Sequence, residues 1–75
     1  MITYKIEREL AELSTGKNSA KRLAIVSWNG NTPKLDIRNW LTDAAEPTPR
    51  KGITLTKSEA QTLVAALNDY LKAVQ

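Results

Sequence analysis

Residues 33–55 read PKLDIRNWLTDAAEPTPRKGITL, and the alternation at the start of this stretch decides how the chain folds. Lys34, Asp36, Arg38 and Trp40 fall at one parity, while Leu35, Ile37, Asn39 and Leu41 fall at the other. In a strand, successive side chains point to opposite faces, so one face is apolar and the other cationic and aromatic. A tryptophan that shares its face with lysine and arginine, and not with the leucines, has to be explained by any functional reading.

Working outward, Thr42 to Pro49 reads as a polar loop, because Pro47 and Pro49 exclude a central strand or a helix interior. Arg50 to Leu55 follows as a short strand with Ile53 and Leu55 inward, two cations at its start, and Gly52 allowing close backbone approach. Thr56 is a good helix N-cap and Glu59 completes a capping box, so a helix is expected from Lys57 to about Lys72. Its apolar positions Ala60, Val64, Leu67, Leu71 and Val74, with Leu63 alongside, make a seam in steps of four and three. Part of that stripe is expected to cover the sheet, and the rest is broad enough to pair with a second copy through Leu63, Leu67, Leu71 and Val74. A wholly intramolecular core is the competing reading of the seam.

Upstream, Lys21 to Trp28 reads as a strand ending in the turn Asn29-Gly30-Asn31-Thr32-Pro33. Its parity groups Arg22 and Val26 with Trp28, so Trp28 repeats the arrangement of Trp40. If the two faces coincide, they form one basic surface with two aromatic platforms. Tyr4 to Leu13 is ambiguous: Ile6, Leu10 and Leu13 sit at helical spacing among good helix formers, and local propensity alone favours a helix. Ser14 to Ser19 is a turn under either reading.

The chain has 75 residues, enough for one small domain over 1–75 whose own core is thin. With no cysteine and no histidine, neither a disulfide nor a zinc site of ordinary ligands can supplement that core, which leaves oligomerisation. No cofactor or metal is expected. The amino terminus is mixed-charge where a signal peptide would be apolar, and no run reaches the length of a membrane span, so a soluble, cytoplasmic protein is expected. The net charge is +3, and its excess lies in the middle of the chain. There Lys17, Lys21, Arg22, Lys34, Arg38, Arg50 and Lys51 face only Asp36, Asp43 and Glu46, which suggests an anionic partner.

Catalysis is poorly supported. The acidic residues near the basic zone are isolated singles, and Gly16, Gly30 and Gly52 form no phosphate-cradling loop. Single-stranded nucleic acid fits better, because such binders combine a cationic groove with aromatic rings that stack on bases. Lys21, Arg22, Lys34, Arg38, Arg50 and Lys51 could supply the charge, and Trp28 and Trp40 the rings. The plainer readings are that a tryptophan packs in a core, that Lys34 and Asp36 form a surface ion pair of little consequence, and that Arg50-Lys51 guards an edge strand. A second function of another class is a dimeric interaction module whose basic aromatic face holds an acidic protein partner.

The run Lys34-Leu35-Asp36-Ile37-Arg38-Asn39-Trp40, a loop, and Arg50-Lys51-Gly52-Ile53-Thr54-Leu55 resembles the signature of the transcriptional coactivator family named positive cofactor four. Val26-Ser27-Trp28-Asn29 is similar to its YdbC-like bacterial branch. The resemblance implies an α+β fold, ββββα: a four-stranded antiparallel curved sheet followed by one C-terminal helix, forming a homodimer through the helices. It also implies that Tyr4 to Leu13 is a strand, against its local propensity. The implied activity is binding of single-stranded DNA on the curved sheets; apart from the resemblance, RNA is an alternative partner and a role accessory to transcription, replication or repair is expected. Arg38, Trp40 and Lys51 match the family's nucleic-acid contacts best, and Trp28 matches an aromatic contact one residue out of step.

Overall fold

The computed structural model describes residues 3–74. Four strands, β1 (Tyr4–Thr15), β2 (Ser19–Trp28), β3 (Lys34–Leu41) and β4 (Thr48–Leu55), form one antiparallel sheet in the order β1-β2-β3-β4, and a single helix, α1 (Lys57–Ala73), follows. This is the ββββα order that the family resemblance implies.

Tyr4 to Leu13 is strand, and the structure explains why it reads as a helix. Against β2 the register of β1 shifts between Ile6 and Arg8, between Glu9 and Ala11, and between Glu12 and Ser14. Each shift leaves one extra residue on β1: Glu7, Leu10 and Leu13 in turn. The inward positions are therefore Tyr4, Ile6, Glu9, Glu12 and Thr15, opposite Trp28, Val26, Ala24, Arg22 and Ala20. Three bulges convert the strand period of two into a period of three, which resembles a helical spacing. Leu10 and Leu13 are exposed because they are bulge residues. Bulges also increase twist and blunt an edge strand against further pairing.

The turn between β2 and β3 is set by Asn29 and Gly30, both at positive φ (52° and 76°), with the Asn31 N–H donating to the Trp28 carbonyl at 2.9 Å. Two successive positive-φ residues match the right-handed twist of a hairpin, and Asn-Gly is the pair that tolerates them. From there β2 and β3 pair without interruption from Val26–Lys34 to Ser19–Leu41. β4 begins earlier than expected, at Thr48, and includes Pro49 opposite Trp40. The proline is accommodated because β4 is an edge strand and because the register slips between Arg38 and Trp40.

Faces are assigned differently from the expectation. The two tryptophan-bearing parities do coincide, but that shared face is the core side of the sheet: Ala20, Ala24, Val26 and Trp40 are its buried apolar residues, with Tyr4, Ile6 and Trp28 packed against them. Trp40 is 0% exposed and is not offered outward as expected. The reason is curvature, since the bulged β1 brings Tyr4 over the Trp40 ring at a centroid distance of 5.4 Å, and the Tyr4 hydroxyl donates to the Pro47 carbonyl. The expectation that part of the helix stripe covers the sheet, over the apolar parity of Leu35, Ile37, Ile53 and Leu55, is also corrected. The helix meets its own sheet only at its start, where Ala60 and Lys57 adjoin Leu35 and Leu55, and Ile53 stays 56% exposed.

The helix itself follows its sequence closely. Thr56 Oγ1 accepts from the Glu59 N–H at 3.1 Å and Glu59 Oε1 accepts from the Thr56 N–H at 2.8 Å, the reciprocal capping box. It contains no buried residue, and Val64, Leu67, Leu71 and Val74 are each about half exposed. No helix among the described residues is long and apolar enough to cross a membrane.

With Trp40 at the centre of so small a core, Trp40→Ala is expected to cost about 3–5 kcal/mol of folding stability. Urea unfolding followed by circular dichroism checks this, and an unchanged midpoint contradicts the assignment of Trp40 to the core.

Candidate nucleic-acid interface

The functional geometry is built around Asp36, whose side chain is fully buried at mid-sheet on β3. Its Oδ1 accepts from Arg38 Nε at 2.6 Å, and its Oδ2 accepts from Arg38 Nη2 at 2.8 Å and from Trp28 Nε1 at 3.2 Å. Residues two apart on one strand share a face, so the alternation itself brings carboxylate and guanidinium together. A planar guanidinium offers two parallel N–H groups to a carboxylate, which makes the pair bidentate and directional.

Arg38 extends this arrangement across β4. Its Nη1 donates to the Arg50 carbonyl at 2.9 Å, and its guanidinium carbon lies 4.5 Å from the Trp28 ring centroid, within cation–π range. The side chain passes over Gly52, where an added Cβ would stand 1.9 Å from the Arg38 Cβ and 2.4 Å from the Ile37 carbonyl oxygen. The close approach expected at Gly52 is thus what makes room for the arginine. Trp28 in turn stacks on Trp40 with ring centroids 6.3 Å apart and planes 10° from parallel, while Tyr4 meets Trp28 at 5.7 Å and a tilt of 45°. Tilted and offset arrangements of this kind add to the area burial of aromatic rings.

Beside this cluster opens a hollow of about 370 Å³ lined by Tyr4, Trp28, Arg38, Thr48, Pro49 and Arg50. Trp28, Arg38 and Arg50 are residues that the sequence singled out, and the fold brings them together. The remaining cations are dispersed. Arg22 lies on the same face but pairs with Glu9 at 3.4 Å and Glu12 at 3.3 Å. Lys21 pairs in register with Ser14 and Asn39, and shares parity with Leu23 and Ile25 on the opposite face. Lys51 shares the parity of Ile53 and Leu55, next to the slip that re-aims Arg50. Lys34 sits at the start of β3 on the rim of a second, more apolar hollow of about 490 Å³ near the helix start.

Two participants were not evident beforehand. Asp36 is no surface partner of Lys34, because the fork with Arg38 takes both of its oxygens. Its alternation with Arg38 was the available signal. Tyr4 was hidden inside the helix-like periodicity of β1. Glu12, on the outer edge strand, has its pKa lowered chiefly by the hydrogen bond from Thr15 Oγ1 and also by Arg22. A depressed folded value means that its contribution to stability is present at neutral pH and lost as pH falls through that value. Among the described residues no group of three or more His, Cys, Asp or Glu side chains is placed to hold a metal ion.

Four antiparallel strands in an open curved sheet followed by one C-terminal helix are the arrangement of a nucleic-acid-binding coactivator fold, to which the family match assigns this chain. The chain belongs to the family of Transcriptional Coactivator p15 (PC4), whose family model matches residues 15–66. It is also similar to an uncharacterized protein of Treponema pallidum (strain Nichols), with 38% identity over 72 residues that cover 95% of this chain and 78% of the relative.

Removing the carboxylate leaves Arg38 and the Trp28 N–H without their buried partner, so Asp36→Ala is expected to cost about 3–5 kcal/mol. Gly52→Ala is expected to cost about 1–3 kcal/mol through overpacking against Arg38. Both are read from denaturation midpoints, and a wild-type midpoint for either removes the fork from the centre of the fold.

Proposed function

We propose that the protein binds single-stranded DNA, with little sequence preference, on the sheet face that carries Trp28, Arg38 and Arg50. The observation that carries this reading is the hollow itself: Tyr4 and Trp28 supply aromatic lining, Pro49 a further ring, and the exposed Arg50 a cation. A base stacks on aromatic rings whatever its identity, and the adjacent cation meets its phosphate, which is how such sites bind without reading sequence. Membership of a nucleic-acid-binding coactivator family supports the same conclusion. The whole chain, 1–75, acts as one binding domain in this reading, accessory to transcription, replication or repair.

The active form is a homodimer joined through α1. Supporting this, the helix has no buried residue, and Leu67 at 47% and Leu71 at 53% exposure lie on one stripe with Val64 and Val74. An apolar stripe of that kind on a chain with so few buried side chains is stabilised by a second copy. Trp40 supports the site from beneath and does not stack on a base.

Titration with oligo-dT is expected to quench tryptophan emission, while duplex DNA and an acidic peptide are not. The affinity is expected to fall by about 0.7 log units per log unit of salt for each phosphate neutralised. Binding that ignores salt contradicts the reading, and quenching by the acidic peptide alone favours a protein-interaction module. Leu67→Glu is expected to convert a dimer to a monomer in sedimentation equilibrium, and a wild-type protein that sediments as a monomer excludes the dimer.

A further inference from the structure

Arg38 is a cation in the sequence and a neutralised group in the fold. Its ion pair with the fully buried Asp36 is closer than any other ion pair among the described residues, at 2.6 Å, and its side chain is only 16% exposed. Three of its five N–H donors are already engaged, two by the carboxylate and one by the Arg50 carbonyl. An approaching phosphate therefore meets a pair of zero net charge. Arg50 differs: it is exposed, it lines the hollow, and among the described residues no carboxylate lies within ion-pair distance of it.

What Arg38 does instead is mechanical. It shares Asp36 with the Trp28 indole N–H, lies against the Trp28 ring at 4.5 Å, and holds the backbone of β4 at Arg50. The three contacts fix one wall of the hollow and the point from which Arg50 projects. Building on the single-stranded DNA reading, we infer that Arg38 is a positioning residue that sets the Trp28 ring and the Arg50 backbone for a bound nucleotide, and that Arg50, not Arg38, neutralises the phosphate. The salt dependence of binding then counts Arg50 and omits Arg38.

Charge and shape are separated by three variants of the full chain, each checked for folding by circular dichroism and thermal melting. Arg38→Lys keeps a cation beside Asp36 but loses the planar fork. The pair change Asp36→Asn with Arg38→Gln removes both charges and leaves no buried ion unpaired. Arg50→Gln removes the exposed cation alone. Affinity for oligo-dT is measured across a range of salt concentrations. Arg38→Lys is expected to weaken binding by on the order of tenfold, the effect of losing one well-placed stacking contact, with a salt slope equal to that of the wild type. The pair change is expected to weaken binding with the same unchanged slope, whereas Arg50→Gln is expected to lower the slope by about 0.7. If the pair variant binds too weakly for a slope, Arg38→Lys decides by itself. Wild-type affinity in folded Arg38→Lys, or a slope reduced by about 0.7 in the pair variant, overturns the assignment of Arg38 while leaving the DNA reading intact. A wild-type protein that does not bind oligo-dT at all overturns the DNA reading, and this assignment with it.

Discussion

One buried carboxylate organises this protein. Asp36 has no contact with solvent, so its charge is tolerable only because three donors converge on it, two from Arg38 and one from Trp28. Satisfying it fixes the arginine, the arginine fixes the adjacent carbonyl of Arg50 on β4, and the indole is held in the plane that stacks on Trp40. Gly52 is the steric counterpart of this interaction, because any larger residue there would occupy the path of the Arg38 side chain. Strands β2, β3 and β4 are thus tied together on one face by side-chain chemistry in addition to their backbone ladders.

The same constraint explains how a sheet with so few buried apolar side chains defines a single face. Among the described residues the buried apolar set is Ala20, Ala24, Val26 and Trp40, three of them small or medium-sized. Tyr4 and Trp28 complete the cluster from its edge, partly buried and partly in contact with solvent, and they are therefore both core and surface. A hollow walled by such residues is rigid from behind and accessible from in front. That is the condition under which a ring can accept a ligand without rearranging. On the opposite face of the sheet Ile53, and on the stripe of α1 Val64, Leu67, Leu71 and Val74, are still exposed in one chain.

Much of this was legible. The capping box of Thr56 and Glu59, the Asn-Gly turn and the strand from Lys34 to Leu41 depend on neighbours within a few residues, and local chemistry is what a sequence displays directly, whereas the need for glycine at position 52 is set by Arg38 and Ile37 on the neighbouring strand. The resemblance supplied the strand order and the strand state of β1. The partners of the arginines were less legible, because Arg22 is engaged by Glu9 and Glu12 across a strand pair, and Arg38 by a carboxylate read as belonging to Lys34.

The sequence by itself determined that Arg38 and Trp40 share one side of their strand and that Arg22 and Trp28 share one side of theirs, since strand parity admits no other arrangement, while the register that joins those two sides is the structure's. It did not determine which side of the sheet is the inside. Alternation distinguishes two faces without saying which way the sheet curls, and the curl depends on three bulges in β1 that disguise themselves as helical spacing. Only the tertiary structure carried Tyr4 over Trp40, turning a tryptophan read as an outward platform into the centre of the core and leaving Trp28 at the surface.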